Sequence, residues 1–316
     1  MEKSLSLDFL VLGSQKAGTT SLHEWLVQHS DVLLPKIKET HFFSHDNRFE
    51  KGADWYLAQF PKTQEVKKLK GEIDPEYLYS SLAPARIKQK TNVKTFVIIL
   101  RNPLERAYSQ YLMTVRRGFE DLSFDEALQA ESARLSSHDQ FAHDHFSYIQ
   151  RSLYSNQIQR YLDLFPDARF LFVKFDDLVD PDNGKETYKS ICDFIGTEDD
   201  VEKVNTSNSS NKASTPRWEW LRDFIYLREN KSITRKVISA VISDNLKLKI
   251  FLFIDRINRK NIQKNSIPPV TSFEVDKKII SEIENDLDQT MMITGLSLND
   301  WKCKMSGYNV DSDAVI

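Results

Sequence analysis

Cysteine is nearly missing from this chain. Cys192 and Cys303 are its only two in 316 residues, too few for a disulfide framework and consistent with a reducing compartment. Long apolar runs are missing as well: none approaches the ~20 residues of a membrane-spanning helix, so no span is expected. The chain enters an apolar run by residue 8 without the basic region, hydrophobic region and cleavage site of a secretory signal. Neither sign of charge dominates, with 43 basic residues against 46 acidic ones. No global field therefore favours nucleic acid, and any anion recognition must be local. His138, His143 and His145 cluster without regular ligand spacing, so no metal is expected. These absences predict a soluble, cytoplasmic protein with no nucleic-acid partner.

The most informative feature present is Phe9-Leu-Val-Leu-Gly-Ser-Gln-Lys-Ala-Gly-Thr-Thr-Ser-Leu22, which reads as buried strand, glycine-bounded turn and helix start. Such a turn aims several backbone N–H groups at one spot, where the helix dipole adds positive character, and so suits a phosphate. The nucleotide-triphosphate version, G-x-x-x-x-G-K-[ST], places its lysine after the second glycine. Here Gly13 and Gly18 keep that spacing, but Thr19 and Thr20 follow, and Lys16 stands inside the turn.

Strand and helix patterns alternate after it. Strands are predicted over 8–13, 93–100 and 167–175, with helices over 20–29, 83–90, 153–164 and 273–290. Residues 70–79 form a further segment leading through Glu72, Asp74 and Pro75 toward the second of those helices. The pattern predicts an α/β fold, P-loop-like and three-layered, with a central parallel sheet flanked by helices. Its ligands would bind at the carboxyl ends of the strands. Residues 204–215 are rich in Ser, Asn and Thr and read as a loop, and helices are predicted over 216–229 and 233–258. With no repeat and no clear linker, 1–316 reads as one domain, a catalytic core to about 220 and a helical part from 221 on.

The second anion-reading segment is Leu100-Arg-Asn-Pro-Leu-Glu-Arg-Ala-Tyr-Ser-Gln-Tyr111. Arg101 would stand at the strand end and Ser109 two turns into the helix, a fork and a hydroxyl suited to a terminal phosphate. A P-loop kinase would instead want an aspartate there to hold magnesium. Two alternatives stay open: that kinase-like phosphotransferase, and a non-catalytic nucleotide-binding protein on the same scaffold.

With these segments the chain resembles the sulfotransferases that use 3'-phosphoadenosine-5'-phosphosulfate (PAPS), in the branch of the heparan sulfate N- and O-sulfotransferases and their bacterial relatives. The motifs that carry the resemblance are Gln15-Lys-Ala-Gly-Thr-Thr-Ser21, Lys38-Glu-Thr-His-Phe-Phe43, Leu100-Arg-Asn-Pro-Leu-Glu-Arg-Ala-Tyr-Ser109 and Arg151-Ser-Leu-Tyr154. It runs from about residue 8 to 220, and weakly to Trp301. It implies sulfuryl transfer from PAPS to a hydroxyl, by in-line displacement without a metal, leaving adenosine 3',5'-bisphosphate. The implied acceptor is a glycan, glycan precursor or glycolipid. Gln15, Lys16, Ala17, Gly18, Thr19, Thr20 and Ser21 would bind the 5'-phosphosulfate, and Arg101 with Ser109 the 3'-phosphate. Tyr154 would shape the adenine side, while Lys212, Ser214 and Arg217 would close a lid. Glu39 would be the base, with His41 beside it, and Lys16 would stabilise the leaving oxygen.

Departures and plainer readings accompany this. Ile73 stands where the family's glycan O-sulfotransferases carry a lysine, Asp74 replaces a threonine, and the disulfide-bearing lid is replaced by the Ser/Asn-rich loop. Lys36 or Lys38 would then supply the missing charge, with Lys38 on the substrate side. Asp74 and Glu76 are either a substrate-side pair or a cap for the following turn. Phe42, Phe43, Trp55 and Tyr56 read as core aromatics, and Arg116 and Arg117 as complements to a helix dipole. Segment 246–260, apolar and basic, is either a packed helix or a peripheral membrane contact.

Overall fold

The continuous apolar runs become β1 (Phe9–Gly13) and β4 (Thr95–Leu100), every residue of which is buried. A strand covered on both faces has no polar side, so it shows no alternation. The computed structural model describes residues 4–62, 69–137, 139–197, 214–216, 259–261, 270 and 273–306. With β2 (Val32–Leu33), β3 (Leu69–Ile73) and β5 (Arg169–Lys174), the two strands build a sheet of order β2–β3–β1–β4–β5. Every adjacent pair runs parallel.

Parallel neighbours need crossovers, and helices provide them. α1 (Thr19–Leu26) follows β1; α2 (Asp46–Phe49) and α3 (Gly52–Leu57) lie between β2 and β3. α4 (Glu76–Tyr79) and α5 (Ala83–Lys90) lead to β4. After β4 come α6 (Pro103–Arg116), α7 (Phe124–Leu135), α8 (Gln140–Phe146) and α9 (Ser155–Leu164). Pro103 opens α6, where its missing N–H costs nothing. α10 (Phe175–Val179) and α11 (Gly184–Ile195) follow β5. The last predicted helix is found as α12 (Lys277–Thr294), with α13 (Asn299–Ser306) after it. Pro216, where a helix over 216–229 is expected to begin, instead ends a short strand, Ser214–Pro216, which also takes the last two residues of the loop read over 204–215; the rest of that helix, the one predicted over 233–258 and the body of 246–260 lie outside the described residues. Among the described residues no helix is long and apolar enough to cross a membrane.

The chain divides into two compact units. The first, Met1–Arg106 with Gln150–Asn211 and Lys277–Ser306, holds the whole five-stranded sheet. On one sheet face Val11, Val97 and Ile99 pack with Leu22 and Trp25 of α1 and with Tyr188 and Ile191 of α11. On the other, the Phe96 ring lies 4.9 Å from Phe165 and 5.9 Å from Tyr161 of α9. Each such side chain contributes roughly 1.5–3 kcal/mol by leaving water, so packing on both faces fixes where the strand ends sit. The second unit is Ala107–Ile149, Lys212–Asp276 and Gly307–Ile316. There Glu120 accepts from the Tyr148 hydroxyl at 2.8 Å and pairs with Arg134, and β6 (Ser214–Pro216) pairs antiparallel with β7 (Arg259–Asn261).

Because the five strands are parallel, Gly13, Ile73, Leu100 and Lys174 end on one edge of the sheet. The chain moves to one side of β1 and then to the other, so strand order reverses beside β1. Open α/β sheets bind ligands outside the carboxyl ends at such a point.

Candidate active site

The turn after β1 is shaped by its glycines. Gly18 starts α1 at φ +81°, and a Cβ there would meet the Phe175 ring at 3.0 Å. Gly13 has φ +149°, and a Cβ there would lie 3.0 Å from Leu78 Cβ and 3.2 Å from the Pro75 carbonyl oxygen. Ala17, Thr19 and Ser21 are buried, while Gln15, Lys16 and Thr20 are half-buried. No side chain caps the first turn of α1, which leaves its dipole to whatever the turn holds. Gln15 Oε1 and Arg101 Nε are buried with no hydrogen-bond partner. Unsatisfied polar atoms at a turn of this kind fit a polar, anionic ligand.

Arg101 stands just past β4, as expected. Its Nη1 donates to the Lys16 carbonyl oxygen at 3.1 Å, its guanidinium lies 4.6 Å over the Phe175 ring, and it pairs with Glu105 at 3.5 Å. Tyr154 is fully buried behind it, and its hydroxyl donates to the Arg101 carbonyl oxygen at 2.7 Å. Tyr154 thus anchors the strand end that presents Arg101. Ser109 lies on α6, half-buried, in the second unit. Ser214 opens β6; Lys212 and Arg217 lie outside the described residues.

The segment carrying Glu39 has an unusual backbone. Among the described residues, the non-glycine residues at positive φ are Lys16 at 69°, Glu39 at 61° and His41 at 53°. Each costs roughly 1–3 kcal/mol and persists only where the surroundings over-determine it. All three are residues the sequence picks for chemistry. Lys38 Nζ pairs with the Glu39 carboxylate and donates to Thr20 Oγ1 at 3.1 Å, so the segment is fastened to the turn. Both side chains of the pair keep some solvent contact, 27% for Lys38 and 29% for Glu39.

Buried carboxylates at the end of β3 hold the same segment. Asp74, wholly buried, accepts from the His41 amide at 2.7 Å and lies 3.1 Å from its Nδ1. It also accepts from the Glu76 amide at 3.1 Å. Burial disfavours a charged His41, but Asp74, then Glu39 and Glu76, outweigh it and push the imidazole up to about 10. At neutral pH His41 is therefore a cation and not a free base. Glu72 accepts from the Thr40 amide at 3.0 Å and from the hydroxyls of Tyr56 at 2.7 Å and Tyr77 at 2.9 Å. Burial and the Asp74 charge raise its carboxyl to about 7, against those hydrogen bonds. Glu76 forms a buried, two-pronged pair with Arg151, both contacts 2.8 Å. An acceptor contact by Asp74 or Glu76 would need exposure; each is buried and engaged by protein groups.

The remaining readings divide. Phe42, Phe43 and Tyr56 are buried in the core, with Phe42 stacked on Tyr56 at 4.7 Å. Trp55 is half-buried, with Lys51 and Arg48 over its ring. Ile73 is buried in the core cluster and Lys36 is exposed. His143 and His145 lie on α8, and His138 lies outside the described residues. Among the described residues no group of metal-binding side chains is gathered. Sequence reasoning missed Glu72 as a site carboxylate, although its place two residues before Asp74 on a strand puts both on one face. It also missed His23 on α1, which burial and the Lys38 charge push down to about 4.

Comparison with known proteins follows the same residues. The family model described as "Sulfotransferase domain" matches residues 6–266. Mouse heparan sulfate glucosamine 3-O-sulfotransferase 3B1 is 32% identical over 196 residues, covering 59% of this chain and 45% of the relative. Human bifunctional heparan sulfate N-deacetylase/N-sulfotransferase 3 is 32% identical over 175 residues, covering 52% of this chain and 20% of the relative. The chain thus spans less than half the length of these curated relatives. A solved sulfotransferase from Alicyclobacillus acidocaldarius superposes with a TM-score of 0.63 at 21% identity, over 94% of this chain and 98% of that one; at that identity the likeness is one of fold. A domain match reaching from β1 past β6, on a sheet of this topology, means that the chain belongs to the sulfotransferase family.

Proposed function

We propose that the chain transfers a sulfuryl group from PAPS to a hydroxyl of a glycan, glycan precursor or glycolipid. The observation that carries this reading is Lys16, held at positive φ inside the turn between β1 and α1. Sulfuryl transfer displaces an oxygen that gains negative charge as it leaves. A cationic donor fixed in the turn stabilises that charge without a divalent ion, as a preorganised donor does. Gln15 to Ser21 would bind the 5'-phosphosulfate, and Arg101 the 3'-phosphate.

Glu39 acts as the base that takes the proton of the attacking hydroxyl. Lys38 bridges Glu39 to Thr20 and so couples base and donor turn. The heparan sulfate enzymes among the relatives support a carbohydrate acceptor. Incubated with PAPS, EDTA and an array of polysaccharides, glycolipids and small alcohols, the protein should sulfate an acceptor, detected by mass or radiolabel. Adenosine 3',5'-bisphosphate at 100 dissociation constants should add about 2.7 kcal/mol of stability, far more than ATP–Mg. Strict magnesium dependence, or preference for ATP–Mg, would overturn the reading.

A further inference from the structure

We propose that Asp74 and Glu72 are positioning residues for the base Glu39, because they hold the backbone amides of His41 and Thr40 and so lock the left-handed turn that presents it. The two residues after Glu39 each give their amide to a different buried carboxylate, Thr40 to Glu72 at 3.0 Å and His41 to Asp74 at 2.7 Å. Residues 72 and 74 share one face at the end of β3. Their strand is hydrogen-bonded to β1, which carries the donor turn. The carboxylates therefore refer the base to the strand that positions the leaving group. Positive φ at Glu39 and His41 is unfavourable on its own, so the turn needs this support to persist.

The same contact gives His41 its second partner. Its ring meets Asp74 from the end of β3, Glu76 from α4 and Glu39 from its own segment, with the His45 ring centred 4.9 Å away. Glu76 is itself occupied by Arg151. Asp74 is the partner in contact, both through charge and through the ring hydrogen bond. The pair ties the segment that carries the base to the end of β3 through both the amide and the ring of His41. Nothing here requires Asp74 to touch the acceptor.

The proposal rests on the sulfuryl-transfer reading, and its test has an arm that does not. In nitrogen-labelled protein the His41 imidazole of the wild type should stay protonated until about pH 10. In Asp74→Asn it should titrate close to the ordinary histidine value of about 6.5. A wild-type His41 that titrates near that ordinary value overturns the proposal, whether or not any acceptor is sulfated and whether or not the variant folds. In the activity arm, Asp74→Ala, which leaves the His41 amide without its acceptor, should lower kcat about 10²-fold, the cost of a small misplacement, while KM for PAPS and affinity for adenosine 3',5'-bisphosphate change less than about twofold. Retained bisphosphate binding shows that the variant is folded. Glu72→Gln, which keeps an oxygen for the Thr40 amide, should keep more of kcat than Glu72→Ala. An unchanged kcat in Asp74→Ala, or equal losses in both Glu72 variants, overturns it. A wild type that sulfates nothing while His41 titrates as expected defeats the functional reading alone.

Discussion

The turn after β1 and the Lys38–His41 segment both carry strained, chemistry-bearing residues, but they are shaped differently. The turn takes its form from its own sequence: glycines flank Lys16, and α1 begins directly at Gly18. The Lys38–His41 segment contains no glycine, and the groups that hold it lie 32 and 33 positions away, on Glu72 and Asp74. One is marked by its own glycines, although the Arg101 guanidinium also holds the Lys16 carbonyl. The other exists only once β3 has formed.

The sharpest contrast should appear in turnover. Glu39→Gln should lower kcat by roughly 10²–10⁴-fold, the range for a positioned base, with bisphosphate affinity unchanged. Lys16→Ala should lower it by roughly 10²–10³-fold, the order for one transition-state donor. Single-turnover rates with PAPS, beside calorimetric binding of the bisphosphate, measure both. If Glu39→Gln turns over as the wild type does, the acceptor side of this comparison loses its chemistry.

A stability measurement probes the scaffold behind the acceptor side. Arg151→Met leaves the buried Glu76 carboxylate without its partner, and should cost about 3–5 kcal/mol in denaturant unfolding. A loss under about 1 kcal/mol, the worth of an exposed pair, would mean that Glu76 is solvated and that the frame beneath Asp74 is loose.

The smallest effect is a pH dependence. The Glu72 carboxyl sits at about 7 when folded against 4.5 as its ordinary value. Between those values the folded chain holds a proton that the unfolded chain has released, so stability falls as pH rises through the window. Glu72→Gln should remove this decline. Unfolding free energies of the two proteins from about pH 4.5 to 7.5 would show it; parallel curves would place Glu72 in water.

Much of this frame is legible in the sequence. β1, β4 and β5 announce themselves as apolar runs, α5 is found at Ala83–Lys90 as read, and the Gly13–Gly18 spacing marks the turn. β2 has only two residues and leaves no periodicity to detect. The left-handed turn at Glu39 and His41 is silent for another reason: neither residue type asks for positive φ, so the conformation is imposed from outside. Tyr154 reads as part of the nucleotide site because of its motif, yet its burial and its bond to the Arg101 carbonyl appear only in three dimensions. Asp74 reads in the sequence either as a substrate-side residue or as a cap for the following turn; its bond from the Glu76 amide fits the cap, and its further partner is a histidine far upstream in the chain.

One consequence of the sheet's uniform direction is practical. The candidate residues of the sheet lie at or past its carboxyl edge, and among the described residues none lies on the opposite rim. The exposed Pro166–Asp167 corner before β5 is a natural splice point for a fluorescent reporter or an affinity handle. The same graft at Asn102, wholly buried, would break the cap that its side chain gives the Leu104 and Glu105 amides at the start of α6.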